Sequence, residues 1–458
     1  MTQKLKNLLG TFDLTMIVVS LVIGMGIFRS SFNVAKDAGS PVIFFIAWIL
    51  GGIIALFGAL TFAEIGSRYP VTGGFYKIYS YCYHPALAFM INGIILISNA
   101  ASVSAVALIG AGYLRGLLPV TYQTETVVQL VALAAVIVFF FVNYLGFKMS
   151  VKTQNVLMVI KILIVLFICA GLFYPASQAM PVQQVTGNTT FWGQVQALGA
   201  ALIAVSFTYG GYQQTINFGG EVQHPQRIIP KAIFWGIAII VSLYLLTNWA
   251  YFHTLGFNGI VYNAAGIESK SDLAARHVQS YVGNYGYSIM SLLLFFAVLA
   301  YVNIGLMSNP RVLYAMADEG VMPPFLKKVN EKSQVLVYAL PVFAAVAVIT
   351  LFFARTFEEI LDYVIFLDSI GLATAVGSIF ILRRKTAHLD NTNIYKMKGY
   401  PWMPVIYILA YAFVSLSIIL RNPKSALIGF AMFLGFYPLY LLSRKLNQTR
   451  NGNKRNPE

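Results

Sequence analysis

Two apolar stretches long enough to cross a membrane are interrupted by glycine where a helix would run on. The first reads Ile17-Val18-Val19-Ser20-Leu21-Val22-Ile23-Gly24-Met25-Gly26-Ile27-Phe28. The second reads Phe207-Thr208-Tyr209-Gly210-Gly211-Tyr212 and continues to Gly219-Gly220-Glu221. A mid-helix glycine costs roughly 1 kcal/mol relative to alanine, and in lipid an unpaired backbone polar group costs more. A chain that breaks helices at bilayer depth therefore puts the freed N–H and C=O groups to use. Paired interruptions in two separated spans point to a substrate site near the membrane midplane.

Composition fixes the class. Hydrophobic residues make up 58% of the 458 and charged residues 10%, the balance of a polytopic helical membrane protein. At about 20 residues per span the length suits roughly a dozen helices. The apolar runs are continuous, which excludes the alternating pattern of a membrane barrel. A net charge of +15 is read as the Lys/Arg excess of cytoplasmic loops, so no nucleic-acid partner is expected. Cys82 and Cys169 stand far apart in apolar surroundings and suggest no disulfide. Lys4 and Lys6 precede an apolar run as in a signal peptide, yet no small-residue cleavage site follows, and the run reads as a retained helix. No G-x-S-x-G, H-E-x-x-H or Ser/His/Asp constellation lies in the spans, so an enzyme is not expected. His84, His224 and His253 lack metal-ligand spacing, and no metal or cofactor is expected. A channel would show a repeated filter loop or charged rings, and neither is visible.

Hydropathy predicts spans at 14–37, 42–66, 86–114, 126–145, 155–174, 194–222, 231–253, 286–316, 336–353, 358–383, 401–420 and 425–443. Most of the 31 Lys and Arg then fall on the side of the N-terminus, in runs such as Lys327-Lys328, Arg383-Arg384-Lys385 and Arg444-Lys445. That asymmetry predicts cytoplasmic termini. Each interrupted span opens a set of five, and an odd number of spans reverses direction, so the two sets would be inverted relative to each other. The expected organisation is an N-terminal segment 1–13, a first five-helix repeat 14–174, an outer loop 175–193 and a second, inverted repeat 194–384. Peripheral helices 11 and 12 follow over 385–446, then a polar cytoplasmic tail 447–458 that reads as disordered.

Lys161 and Asp368 stand inside the apolar runs. Lys161, in Val159-Ile160-Lys161-Ile162-Leu163, is too deep to snorkel easily and is a functional candidate by its position. Asp368, in span 10, is costly there unless paired or protonated. Glu64 and Glu221 close spans 2 and 6 beside Arg68 and Arg227, a pattern for a gate or for helix-end salt bridges.

The motifs in order resemble a known family. Gly24-Met25-Gly26-Ile27-Phe28 is similar to the G-x-G-I-F signature of the amino acid–polyamine–organocation transporters. Ala38-Gly39-Ser40-Pro41, Ala63-Glu64-Ile65-Gly66, Gly73-Gly74-Phe75-Tyr76 and His84-Pro85 continue that pattern. Phe207-Thr208-Tyr209-Gly210-Gly211-Tyr212 resembles the F-x-Y-G-G-W stretch of the L-type amino acid transporter branch, and Glu221 to Pro230 its E-x-x-x-P-x-R-x-x-P continuation. The resemblance implies an inverted five-plus-five helical fold with two further helices, and alternating-access transport of amino acids. A free amino acid carries a carboxylate and an ammonium on one carbon, and broken helix ends offer N–H groups for one and carbonyls for the other.

The resemblance assigns the carboxylate to the backbone of Met25, Gly26 and Ile27. It assigns the ammonium to carbonyls near Val22, Ile23, Phe207 and Gly210, with Gly24, Tyr209 and Gly211 in the same segments. Phe207 resembles an aromatic gate. Lys161 is similar to a lysine that stands in for a sodium ion between spans 1 and 5, which implies sodium-independent transport. Asp368 departs from the L-type pattern, where an asparagine is expected. It fits a polar or cationic substrate side chain, a coupling proton site, or a structural partner, and cationic amino acids or polyamines are the alternative substrates. Exchange is what the L-type resemblance implies, while Lys161 and Asp368 would permit proton coupling. The animal L-type transporters link a heavy subunit through a cysteine between spans 3 and 4. The loop Gly116–Thr126 has none, so no disulfide-linked heavy subunit is expected and a bacterial inner-membrane protein fits. Membrane lipid and the amino acid are the partners implied.

Overall fold

The computed structural model describes residues 5–24, 26–175, 190–262, 268, 273–352, 357–390, 393–421 and 423–452, with only the backbone of 357–365, 421, 425 and 448–452. The described chain is helical, and its only strand-like features are isolated bridges such as Leu9 with Val222. In order the helices are α1 (Thr11–Val22), α2 (Gly26–Ala38), α3 (Pro41–Arg68), α4 (Gly74–Cys82), α5 (Pro85–Arg115), α6 (Glu125–Leu145), α7 (Phe147–Cys169) and α8 (Phe191–Tyr209). They continue with α9 (Pro225–Val261), α10 (Leu273–Val282), α11 (Gly286–Ser308), α12 (Pro310–Asp318), α13 (Ala339–Phe352), α14 (Phe357–Lys385), α15 (Trp402–Arg421) and α16 (Pro423–Gly452).

Among the described residues, ten helices are long and apolar enough to cross a membrane, and α1 with α2, bent by 40°, count as an eleventh if taken as one span. The shorter apolar helix α13 occupies the place of predicted span 9. The chain is an integral membrane protein of the all-helical class expected.

The helix starts are written locally. Ser40 precedes Pro41 and its Oγ accepts from the Ile43 N–H at 3.3 Å. His84 precedes Pro85, and its Nδ1 accepts from the Ala86 N–H. Thr124 and Thr190 cap α6 and α8 in the same way, each satisfying a first-turn N–H that has no helical acceptor.

Several boundaries differ from expectation, among them span 7, expected at 231–253 and found as α9 over Pro225–Val261 with a kink at Gly256. Span 5 starts at Phe147 rather than 155, because the polar residues Lys148, Lys152 and Gln154 ride on a continuous helix. α16 runs to Gly452, past the start of the expected disordered tail at 447. Ser443 and Asn447 explain this, since they donate to the Val321, Gly320 and Met322 carbonyls and tie the helix to the loop after α12.

The core of the bundle is aromatic where the interrupted spans meet α3 and α9. Trp48, Tyr209 and Tyr244 are fully buried. Their rings pack at 5.9 Å (Trp48–Tyr209), 6.0 Å (Trp48–Tyr244) and 5.1 Å (Tyr209–Tyr244).

Candidate functional site

Span 1 stops being helical at Ile23. Its φ of −73° and ψ of 81° form an inverse γ-turn in which the Gly24 N–H donates to the Val22 carbonyl at 2.7 Å. The chain is helical again from Gly26. Span 6 stops at Tyr209. Gly210 is extended and Gly211 takes φ +116°, a backbone conformation that side chains rarely adopt. Beyond it the span continues as short 3-10 turns, Tyr212–Asn217 and Gly219–Glu221.

The two breaks lie against each other. A Cβ on Gly211 would sit 2.1 Å from the Leu21 carbonyl oxygen, and one on Gly26 would sit 2.7 Å from the Thr208 side chain. Glycine is required at Gly211 by conformation and by the approach of a second backbone. Tyr244 of α9 bridges the breaks, its hydroxyl lying 3.1 Å from the Val22 carbonyl and 3.3 Å from that of Thr208. Nothing in the sequence around Tyr244 distinguishes it from a packing tyrosine.

Lys161 is fully buried on α7, and its Nζ donates to the Ile23 carbonyl at 2.6 Å. Two turns earlier on the same face, Gln154 donates to Ser20 Oγ. Asn303 of α11 donates to Gln154 Oε1 at 2.7 Å, and Asn143 of α6 donates to Asn303 Oδ1 at 2.8 Å. A buried polar chain thus joins span 1 to spans 4, 5 and 8. Sequence reading missed it, because each amide finds its partner on another span.

These bonds sort the carbonyls expected to meet an ammonium. Val22 accepts from the Gly24 N–H and shares the single Tyr244 hydroxyl proton with Thr208. Ile23 holds Lys161 and keeps one lone pair, and Phe207 holds the Gly210 N–H at 3.2 Å and keeps one. On the other side, the first-turn N–H groups of α2, including Gly26 and Ile27, have no acceptor within their helix. Gly24 lies beside Tyr301, whose ring would be 3.5 Å from a Cβ there. Met25 falls outside the described residues.

The side chains divide differently from the sequence expectation. Phe207 is half exposed, and among the described residues its ring meets no other ring. The Tyr209 side chain is committed to packing, with its hydroxyl 3.4 Å from the Trp48 carbonyl, so only its backbone borders the break. Asp368 of α14 is partly accessible and lies within electrostatic range of Tyr79, Tyr212, Tyr301 and Tyr411. Among the described residues it makes no hydrogen bond or ion pair.

At the end of the bundle that carries Leu5–Gly10, the charges form two clusters. Glu64 accepts from Arg68 at 2.8 Å, from Arg383 at 2.8 and 2.7 Å, and from the Met397 N–H at 2.8 Å. Arg68 also reaches Asp390 at 2.8 Å, and that hydrogen bond holds the Asp390 carboxyl below the usual range. Glu221 pairs with Arg311 of α12 through both oxygens, at 2.7 and 2.5 Å, and not with Arg227. Arg227 is exposed and unpaired among the described residues. The reason is direction: Glu221 turns inward, fully buried, where Phe147 and Phe218 sandwich the Arg311 guanidinium at 4.8 and 4.4 Å. The N-terminal segment closes over this pair, with the Leu8 and Leu9 N–H groups on the Glu221 carbonyl at 2.8 and 2.9 Å.

Comparison with known proteins agrees with this geometry. The family model described as Amino acid permease matches residues 9–441. A serine/threonine exchanger of Bacillus subtilis (strain 168) is 26% identical over 96% of this chain and 98% of its own length. The branched-chain amino acid permease of the same organism is 27% identical over 97% and 96%. The large neutral amino acids transporter small subunit 2 of Mus musculus is 25% identical over 96% of this chain and 81% of its own. With the family model covering nearly the whole length, this membrane protein belongs to the amino acid permease family and is a transporter of amino acids.

Proposed function

We propose that the chain carries amino acids by alternating access, without sodium, binding the zwitterion with main-chain groups where spans 1 and 6 unwind. The carboxylate goes to the N–H groups that open α2, at Gly26 and Ile27 with Met25 before them. The ammonium goes to the free lone pairs of Ile23, Phe207 and Gly210. The observation that carries this reading is the mutual contact of the two breaks, with Gly211 on Leu21 and Tyr244 across both. It leaves a half-helix N-terminus and unpaired carbonyls facing one space.

Lys161 supports sodium independence. An ammonium already occupies the Ile23 carbonyl, where a bound cation would otherwise neutralise the unwound segment. Glu64, Arg68, Glu221 and Arg311 hold one end shut, and the Lys/Arg distribution makes that end cytoplasmic. Phe207 covers the substrate from the other side. Residues 14–174 and 194–384 act as the two inverted repeats, with the helices of 385–446 peripheral. The membrane is a bacterial inner membrane, and no heavy subunit is disulfide-linked, since Cys82 and Cys169 are both buried. The range of relatives, from serine and threonine to branched-chain and large neutral amino acids in their names, supports exchange of neutral substrates.

Counterflow in proteoliposomes tests the proposal. Preloaded amino acid accelerates uptake of labelled amino acid equally in sodium and choline buffers. Uptake indifferent to the trans substrate, or abolished by choline, contradicts it.

A further inference from the structure

The glycine pair that breaks span 6 has no side chains with which to place itself in the bundle. The Gly211 N–H donates to Gln213 Oε1 at 2.8 Å, which shapes the turn but leaves its position open. Glycine adds no steric restriction of its own. The anchors are the residues that flank the pair, Tyr209 and Tyr212, and both are fully buried.

Glycines of α3 receive both tyrosines. The Tyr209 ring lies 3.3 Å from where a Cβ on Gly51 would stand, and its hydroxyl 3.3 Å from one on Gly52. Gly58 is two turns beyond Gly51. A Cβ there would overlap the Tyr212 hydroxyl and the Tyr407 ring together. In that notch Tyr212 donates to the Tyr407 hydroxyl at 3.2 Å, and its own hydroxyl has no other hydrogen-bond partner among the described residues. Phe62 of α3 meets the Tyr212 ring edge-on at 6.1 Å.

Tyr407 stands on α15, beyond residues 14–174 and 194–384. It is fully buried, with the Tyr411 ring stacked on it at 4.5 Å. α15 packs against α3, α8 and α14, so the acceptor offered to Tyr212 belongs to a firmly seated helix. Tyr212 adjoins Gly211, which faces the Leu21 carbonyl across the two breaks. A shift of the Tyr212 ring therefore moves the main chain that faces span 1.

We propose that Tyr407 is a positioning residue for substrate binding. It acts through Tyr212: the phenol pair holds Gly211 against Leu21, and the breaks keep the spacing that an amino acid needs. The inference rests on the transport reading and adds to it a residue from outside the two five-helix sets. Because main chain is what moves, the effect is the same for every substrate side chain.

Tyr407→Phe keeps the ring and its stacking and removes the acceptor. Equilibrium binding of labelled L-serine, L-leucine and L-lysine is measured on purified wild type, Tyr407→Phe, Tyr212→Phe and the double variant. Each single weakens binding of every amino acid that the wild type takes by about tenfold, the equivalent of one hydrogen bond, with factors agreeing within about twofold. The number of binding sites and the melting temperature stay at the wild-type values, which a loss of packing alone would lower. The double variant binds no more weakly than the worse single, because one shared bond is lost once. An unaltered dissociation constant in Tyr407→Phe overturns the inference. So do fewer sites at unaltered affinity, a loss confined to one substrate, or a double whose loss is the product of the singles. Wild-type protein that binds none of the three amino acids overturns the transport reading, a result distinct from wild-type binding with Tyr407→Phe unaltered.

Discussion

The Lys161 ammonium lies 2.6 Å from the Ile23 carbonyl, so the cation buried in span 5 ends on main chain that span 1 leaves free by unwinding. A charge-assisted hydrogen bond of this kind contributes about 1.5–3 kcal/mol. Here it holds the carbonyl of Ile23, whose own N–H ends the helical ladder on Val19 at 2.8 Å. Lys161→Met keeps the bulk and removes the donor. It is expected to lower exchange by about tenfold or more, the rate equivalent of losing that bond, with Lys161→Arg no better because the larger planar guanidinium does not fit a fully buried ammonium site. Uptake by purified variants in liposomes checks this, and a Lys161→Met protein at the wild-type rate would refute it.

Gly211 makes a sharper stereochemical prediction. Its φ of +116°, with the Leu21 oxygen 2.1 Å from where a methyl carbon would sit, leaves no room for alanine. Gly211→Ala is expected to cost about 3 kcal/mol or more from strain and overpacking, and to abolish transport. Gly210, with φ −67° and its nearest neighbour 3.3 Å from a Cβ, tolerates alanine far better. Thermal unfolding of the two variants in detergent measures the difference, and equal melting temperatures would contradict the packing of the breaks.

The Glu221–Arg311 pair is fully enclosed, so removing one partner leaves a buried charge. Glu221→Gln is expected to destabilise the closed N-terminal end by about 3–5 kcal/mol. Arg311→Lys does not rescue function, because a lysine cannot span both carboxylate oxygens and fill the space between Phe147 and Phe218. The measurement is labelling of a cysteine placed at Ser333, whose carbonyl accepts from the Phe147 N–H at that end. Labelling rises in both variants and stays unchanged in Arg227→Gln.

His277, on the outer helix α10, gives a pH dependence. Its Nε2 lies 2.8 Å from the Ile168 carbonyl and must donate, while Nδ1 faces Thr254 Oγ1. Burial pushes its pKa down from 6.5 to about 4. The unfolded state therefore binds the proton first as pH falls. The stabilisation is complete above about pH 6.5 and is lost toward pH 4, amounting to about 3 kcal/mol across that window. Hydrogen exchange of 273–282 should accelerate as pH falls through this range, after correction for intrinsic rates. His277→Gln flattens the profile, and an unchanged profile in that variant would exclude the assignment.

What the sequence discloses depends on how local the physics is. Glycine pairs in apolar runs announce the breaks, because nothing else justifies them at bilayer depth. Lys161 stands out because a lone charge in such a run has few tolerable environments, and the caps at Ser40, Thr124 and Thr190 are legible within four residues. Tyr244, Gln154 and Asn303 are not legible. Each has its partner on another span, a relation fixed only when helices pack. Glu221 shows the same limit: Arg227 is its sequence neighbour, while its actual partner Arg311 is brought in by the α11–α12 turn.

The claim that main-chain groups at the two breaks clasp a zwitterion is tested most directly by competition with blocked substrates. Labelled amino acid uptake into proteoliposomes is challenged with the free amino acid, its methyl ester and its N-acetyl derivative. The account predicts that the free amino acid competes, while loss of either the carboxylate charge or the ammonium weakens competition by about tenfold or more. Esters and N-acetyl derivatives that compete as well as the free amino acid would contradict it.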